Sequence, residues 1–214
     1  LQGDWSSDVC SSDLWHRGLD PHKQAIEQLA FRKTWDLSDI IVIIDDSPKK
    51  IASTAAHRYA WESPLFADRL KDLEKRKVKI REAIEKQDLS ALGPVIEEEA
   101  LNMHAIIEST QTKVSYLTEE TKSFLTWIKQ KRQNGDLLGY FTIDAGPNVH
   151  LICASKDTDN IAKLISQDFP NYRLLMDRVG EGPTIEKVTH GSTRSEEHTS
   201  ELQSPCNLVC RLLL

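Results

Sequence analysis

The stretch YFTIDAGPNVHLIC, residues 140–153, decides the fold of this 214-residue chain. Two short runs rich in aromatic and β-branched residues, YFTID and VHLICA, flank the connector AGPN. Runs of this kind predict strands, and Gly, Pro and Asn between them predict a tight connection. The stretch therefore predicts two sequential strands at residues 140–144 and 149–154.

Strand and helix patterns alternate along the rest of the chain. Strands are predicted at residues 40–45 and 172–179, and helices at 21–35, 64–87, 90–107, 118–135 and 159–167. Pro21 suits a first helical turn, Ser90 is the expected N-cap of its helix, and Thr118 and Gly135 are expected to bound the next one. This order predicts an α+β fold, a mostly antiparallel sheet with helices packed on one face.

The two ends of the chain differ from its middle. Residues 4–14, DWSSDVCSSDL, and residues 194–204, RSEEHTSELQS, have no helical or strand period. Opposite strands of a single DNA sequence can encode these two segments, and that sequence resembles a common sequencing-library adapter. We therefore interpret both segments as translated adapter and exclude them from the fold. The alternative is a genuine Ser-rich linker at each end, and the nucleotide record tests it.

The remaining residues, 15–193, have the composition of a folded domain. Excluding the ends removes six of the 33 acidic and two of the 27 basic side chains, so the net charge changes from −6 to −2. That balance disfavours a dedicated nucleic-acid binder, and no apolar run approaches the about 20 residues of a membrane-spanning helix. Of four cysteines only Cys153 remains, which favours a reducing, cytoplasmic compartment.

Asp144 is the candidate catalytic residue. It ends a predicted strand, and the small residues Ala145 and Gly146 let another group approach its carboxylate closely. A carboxylate in such a place can act as a general base that accepts a proton from a bound hydroxyl. The residues alone leave open the alternative that Asp144 only begins a turn beside Gly and Pro.

Five blocks of this sequence resemble the mevalonate diphosphate decarboxylases, a family of the GHMP kinase superfamily, and occur in that family's order. They are Trp15 and Gly18 (the end of G-G-F-V-x-W), residues 40–54 (a strand followed by K-K-V-S-S), NMHA at 102–105 (R-M-H-A), DAGPN at 144–148, and DRVGEGP at 177–183 (the closing strand). The resemblance implies a GHMP-kinase-type C-terminal domain. It also favours a catalytic role for Asp144 over a simple turn.

The resemblance implies an ATP-dependent decarboxylation. The family phosphorylates the tertiary 3-hydroxyl of a mevalonate phosphate and then loses phosphate and carbon dioxide to give an isopentenyl phosphate. Asp144 matches the catalytic aspartate that takes or orients the hydroxyl proton. ATP and Mg²⁺ are the expected cofactors. The expected partner is a small phosphorylated substrate, with no nucleic acid and no membrane, and a homodimer is left open.

Ser53, Thr54 and Arg58 are the candidate substrate-binding residues. Two hydroxyls and a planar guanidinium suit the terminal phosphate of the substrate, although an N-cap followed by a solvated helix face fits the residues equally well. The family often has S-S-x-x-G-M-x-x-T here. This chain departs from that pattern at Ala52, Ala56, His57 and Ala60. The departure weakens the implied diphosphate binding and keeps a phosphomevalonate decarboxylase open as the alternative.

No metal site is expected among the remaining polar residues. His150 has no Cys or acidic partner at metal-ligand spacing, so a zinc site is disfavoured. His104 lies among apolar helical residues, and we expect a hydrogen-bonded core histidine rather than a catalytic one. The charged run at residues 70–82 is expected to be a solvated helix face.

The sequence and the resemblance together predict four segments. Residues 1–14 are adapter and disordered, 15–38 end a truncated N-terminal GHMP domain, 39–185 form the C-terminal decarboxylase domain, and 186–214 are adapter and unassigned tail. No Gly/Ser-rich phosphate loop is present, and in the family that loop precedes the Trp15 region. We therefore expect the C-terminal half of a diphosphomevalonate decarboxylase, inactive alone. A kinase-only relative and a noncatalytic α+β interaction module are the alternatives.

Overall fold

The described residues form two antiparallel sheets, of four and two strands, and four α-helices, which confirms the predicted α+β class. The computed structural model describes residues 13–16, 25–28, 35–47, 59–111 and 114–179. The described strands are β1 (Asp13–His16), β2 (Ala25–Gln28), β3 (Leu37–Ile43), β4 (Gly139–Thr142), β5 (Val149–Ala154) and β6 (Arg173–Arg178). The described α-helices are α1 (Phe66–Glu85), α2 (Leu89–Glu108), α3 (Glu119–Gln133) and α4 (Thr158–Asp168). The main sheet has the order β4-β5-β3-β6, and every neighbouring pair in it is antiparallel.

Strand alternation divides the core between the two faces of the main sheet. On one face, Ile40 of β3 and Leu151 of β5 pack with apolar residues of α3 and α4. On the other face, Leu37 and Ile152 pack with apolar residues of α1 and α2. The expected helical layer is thus present as α3 and α4, and the structure adds α1 and α2 against part of the opposite face.

The free edge of β4 is covered by a charged pair from two helices. The Phe141 N–H donates to Glu97 of α2 at 3.2 Å, and Arg132 of α3 donates to the Gly139 carbonyl at 2.8 Å. The same Arg132 guanidinium donates to both carboxylate oxygens of Glu97, at 2.7 and 3.0 Å. Because β4 is an edge strand, these contacts satisfy backbone groups that its only sheet neighbour, β5, does not pair. The strand that leads to Asp144 is therefore fixed on both sides.

The ends of α3 follow the predicted capping signals. The Thr118 hydroxyl accepts from the Thr121 N–H at 3.1 Å, as an N-cap does. Gly135, just past the helix, has φ +81°, a conformation that a residue with a Cβ rarely adopts. The prediction of Ser90 as the N-cap of α2 is wrong. Asp88 is the cap, because its carboxylate accepts the N–H groups of Ser90 and Ala91 at 2.9 and 3.0 Å.

The prediction of a helix at residues 21–35 is also wrong where the structure describes that segment. Residues Ala25–Gln28 form β2, which pairs with β1 in an antiparallel register. Asp13 and Leu14, expected to be disordered, belong to β1. The pairing satisfies backbone groups between two segments that are separated in sequence, and local periodicity within either segment does not reveal it.

The charged run at residues 70–82 is less solvated than expected. Arg76 is only 5% exposed, and with Arg69 it donates to the carboxylate of Glu99 on α2. Both guanidinium groups also donate to the side-chain oxygen of Asn102, at 2.6 Å from Arg69 and 3.3 Å from Arg76. The buried side of α1 therefore joins α2 through ionic contacts as well as apolar ones.

Candidate active site

The connection between β4 and β5, residues 144–148, presents one exposed carboxylate on a closely packed turn. Asp144 is exposed, whereas Ile143 before it and Ala145 after it are buried. The Gly146 N–H donates to the Asp144 carbonyl at 2.7 Å, which closes the turn directly behind the carboxylate. We call residues 144–148 the DAGPN loop. The Asp144 side chain is therefore exposed on a backbone that the loop holds in place.

Asn148 fixes the far end of the DAGPN loop to β3. Its side-chain oxygen accepts the N–H of Ile44 at 2.9 Å and the N–H of Asp45 at 3.1 Å. These two residues lie immediately beyond β3, where strand pairing has ended. The loop is therefore joined to the segment that continues from β3 toward residues 48–58.

Two helices hold the other sides of the DAGPN loop. The Thr121 hydroxyl, in the first turn of α3, donates to the Pro147 carbonyl at 2.8 Å. Ala145 packs in a buried cluster with Met103 and Ile107 of α2 and with Tyr116. The loop thus has anchors on β3, α2 and α3, all distant from it in sequence.

His104 lies behind the DAGPN loop in the core. It is 1% exposed, and its ring meets the Tyr116 ring edge-on with centroids 6.3 Å apart. Burial lowers the pKa of His104, while the backbone of Asp144 and the charges of Glu108 and Asp144 oppose that effect. Neither ring nitrogen has a hydrogen-bond partner among the described residues. The expected core location is confirmed, and of the expected hydrogen bonding the structure shows only the influence of the Asp144 backbone on the ring.

His150 makes a contact that sequence reasoning missed. Its Nδ1 lies 2.8 Å from Oδ2 of Asp39 on the adjacent strand β3, and both side chains are largely buried. Among the described residues, no group of three or more His, Cys, Asp or Glu is arranged to hold a metal ion. In the same part of the chain, no helix is long and apolar enough to cross a membrane.

Of the four predicted site residues, the structure describes one. Asp144 stands at the start of the DAGPN loop, whereas Ser53, Thr54 and Arg58 lie outside the described residues. What the structure does bring together is the loop and the end of β3, from which the chain continues toward those three residues. Sequence reasoning predicted no separate role for Asn148, although the side chain of an Asn in a turn often bonds to backbone groups.

These features define the class as an α+β domain with an exposed aspartate in the connection between two antiparallel strands. The family profile described as "Mevalonate 5-diphosphate decarboxylase C-terminal domain" matches residues 39–210. The chain therefore belongs to the mevalonate 5-diphosphate decarboxylase C-terminal domain family. The matched range includes residues 194–204, so the adapter origin of that segment stays a prediction.

Individual relatives agree with the family. The chain is 22% identical over 199 residues to the diphosphomevalonate decarboxylase of Candida albicans, covering 82% of this chain and 55% of that protein. It is 21% identical over 161 residues to that of Debaryomyces hansenii, covering 72% of this chain and 42% of that protein. The chain thus spans about half the length of the curated relatives it matches.

Solved structures resemble the described fold over a similar share. The mevalonate diphosphate decarboxylase of Staphylococcus aureus has a TM-score of 0.69 at 28% identity, covering 78% of this chain and 51% of that one. A structure described as "MDDEF in complex with MVAPP, AMPPCP and Magnesium" has a TM-score of 0.71 at 25% identity, covering 78% of this chain and 52% of that one. Fold and family membership therefore point to the same enzymes.

Proposed function

We propose that this chain is the C-terminal part of an enzyme that converts mevalonate 5-diphosphate to isopentenyl diphosphate with ATP. The observation that carries the proposal is Asp144, an exposed carboxylate on a loop anchored to β3, α2 and α3. Relatives named diphosphomevalonate decarboxylase support the reaction, and a structure described with MVAPP, AMPPCP and magnesium supports the ligands.

The chemistry needs a base near the substrate's tertiary hydroxyl. As the γ-phosphoryl group of ATP moves to that oxygen, the Asp144 carboxylate accepts or orients the hydroxyl proton. The carbon–oxygen bond then breaks with phosphate leaving, the bond to the carboxylate carbon breaks to release carbon dioxide, and its electron pair forms the new double bond. Phosphate is a far better leaving group than hydroxide, so phosphorylation prepares the elimination.

Magnesium fits these residues as an ion held mainly by phosphates. The described residues offer no protein cage for it. Mg²⁺ usually keeps waters and takes substrate phosphates with few protein carboxylates. When bound, the ion neutralises charge on the transferring phosphoryl group.

The substrate's phosphate end is assigned to Ser53, Thr54 and Arg58. Support comes from their chemistry, because two hydroxyls and a planar guanidinium suit a phosphate group. The departures from the family pattern within residues 52–60 favour a second candidate function, the decarboxylation of mevalonate 5-phosphate to isopentenyl phosphate. Turnover of each substrate by a full-length enzyme carrying this domain distinguishes the two.

The remaining parts of the proposal concern the chain as a whole. We assign residues 15–38 to the end of an N-terminal domain, 39–185 to the C-terminal domain, and 1–14 and 186–214 to adapter-derived or unassigned segments. The enzyme acts in the cytoplasm on small molecules, with no nucleic acid or membrane as partner, and a homodimer is the assembly to test. The 214-residue chain alone is expected to release no carbon dioxide, because the ATP phosphate loop implied by the resemblance is not in its sequence.

The deciding experiment replaces Asp144 by Asn in a full-length decarboxylase that carries this domain. Loss of a positioned general base typically lowers the rate about 10²–10⁴-fold, and the isosteric amide preserves the fold. The matched control is Asp136→Asn, an exposed aspartate in the turn after α3. Release of carbon dioxide from carboxyl-labelled substrate, with circular dichroism as the check on folding, gives the result. Unchanged turnover in Asp144→Asn would overturn the role of this carboxylate.

A further inference from the structure

The side chain of Asn148 joins the DAGPN loop to the end of β3. Its side-chain oxygen accepts two backbone N–H groups, from Ile44 at 2.9 Å and Asp45 at 3.1 Å. Because both neighbours are donors, the atom facing them must be the carbonyl oxygen of the amide. A single oxygen with two lone pairs therefore bonds to two residues that are distant in sequence. Ile44 lies 104 positions before Asn148, and Asp45 lies 103 positions before it.

This contact joins the turn that carries the proposed base to the end of β3. On one side is the turn that carries Asp144, which the Gly146 N–H closes at 2.7 Å. On the other side are Ile44 and Asp45, immediately beyond β3. A shift of the turn relative to the sheet moves the Asp144 carboxylate, even when the turn and the sheet each keep their own structure.

We propose that Asn148 is a positioning residue, which holds the DAGPN loop, and with it the Asp144 carboxylate, against the end of β3. The inference rests on the proposed function. It adds a role for a residue that touches neither the substrate nor the reacting atoms. A misplacement of about 1 Å at a reacting centre can lower a rate about 100-fold, so two hydrogen bonds at this place have a large effect on catalysis.

The fold does not depend on Asn148 alone, which makes the proposal testable. The Thr121 hydroxyl still holds the Pro147 carbonyl, and Ala145 still packs with Met103 and Ile107 when the Asn148 side chain is removed. The loop then keeps its anchors on α2 and α3 and loses its side-chain bonds to the end of β3, although Val149 after it still pairs with Val42 of β3. We therefore expect Asn148→Ala to fold and to misplace Asp144.

The kinetic test uses a full-length decarboxylase that carries this domain. Asn148→Ala is expected to lower kcat about 10–100-fold with a smaller change in KM, because Asp144 acts in the transition state rather than in ground-state binding. Asn148→Asp keeps an oxygen acceptor for both N–H groups and is expected to recover much of the loss. Asn160→Ala, at an exposed position of α4, is the matched control.

A double-mutant cycle separates positioning from general structural damage. In an Asp144→Asn background, Asn148→Ala is expected to have little further effect on kcat, because the group that it positions has been removed. Equal fold-losses in the two backgrounds would overturn the proposal, as would wild-type kcat in Asn148→Ala. Full activity in Asp144→Asn alone would instead overturn the proposed role of the base.

Amide hydrogen exchange gives a readout that does not depend on activity. Removing the Asn148 oxygen is expected to speed exchange at Ile44 and Asp45, and also at Gly146 if the loop loosens as proposed. Exchange at residues of α4 serves as the internal reference. Unchanged exchange at Gly146 would show that the loop is held without Asn148 and would overturn the positioning role.

Discussion

Replacing Gly93 by Ala tests how closely α2 packs against β4, the strand that leads to Asp144. A Cβ atom built at Gly93 would lie 2.0 Å from Cγ of Tyr140 and 2.2 Å from both Cδ atoms. Ordinary contacts begin at 3.4 Å, so ring and helix would have to separate by about 1.4 Å. The ring is held in turn, because the Arg132 guanidinium carbon lies 4.4 Å from its centroid and Glu97 fixes that guanidinium.

The expected change in the free energy of unfolding is the difference between the cost of overpacking and the gain in helix propensity. Overpacking of this size costs about 3 kcal/mol, at the upper end of the usual range. Ala in place of Gly inside a helix contributes at most about 1 kcal/mol. Part of that gain is lost because the position precedes Pro94, where a Cβ disfavours helical backbone. The net loss is about 2 kcal/mol, which lowers Tm by about 4–8 °C for a domain of this size.

Urea denaturation followed by far-ultraviolet circular dichroism measures this loss. Tyr140→Ala removes the ring, so Gly93→Ala in that background is expected to be neutral or stabilising, with a coupling of about 3 kcal/mol. Ala91→Gly, at an exposed position of the same helix, is expected to cost about 1 kcal/mol. It measures the difference in helix propensity between Ala and Gly without the packing cost. Strictly additive effects at positions 93 and 140 would refute the reasoning, and so would a Gly93→Ala variant as stable as the wild type.

Three further perturbations have expected outcomes. Burial lowers the pKa of His104 in the folded protein. The free energy of unfolding therefore keeps its full value above the pKa of the unfolded state, about 6.5, and falls by up to about 1.4 kcal/mol per pH unit as the pH drops below it. His104→Phe should flatten that part of the pH dependence of denaturation, and an unchanged slope contradicts it. Glu97→Gln leaves Arg132 without its charge partner at the β4 edge and should cost about 3 kcal/mol, against about 0–1 kcal/mol for the surface control Glu85→Gln. Burial raises the pKa of Cys153 to about 11, so peptide mapping should show this thiol unlabelled by alkylating reagents until the protein unfolds.

Sequence patterns correctly predicted the elements that depend on interactions between residues close together in the chain. The ends of α3 follow from Thr118 and Gly135, because a cap and a left-handed glycine act within one helical turn. The strands on either side of the DAGPN loop follow from their β-branched and aromatic residues. The cap of α2, however, was predicted at Ser90, two residues after the observed cap Asp88, because Ser and Asp suit that position about equally.

Contacts between distant segments account for what sequence reasoning missed. The pairing of β1 with β2, the burial of Arg76 against Glu99 and the bond from His150 to Asp39 each need a partner that no local pattern identifies. The same limit applies to the site. Asp144 was predicted as a residue, but its orientation depends on contacts that only the fold creates.

The anchors of the DAGPN loop show how a chain spanning about half of its relatives can still carry an ordered part of the site. A general base needs a fixed position, and fixing a loop needs rigid elements on more than one side. Asn148 bonds to the end of β3, Thr121 bonds from α3, and Ala145 packs on α2, all within residues that the structure describes. The placement of Asp144 is thus determined inside this domain. The placement of this carboxylate can therefore be tested separately from the binding of ATP in the proposed enzyme.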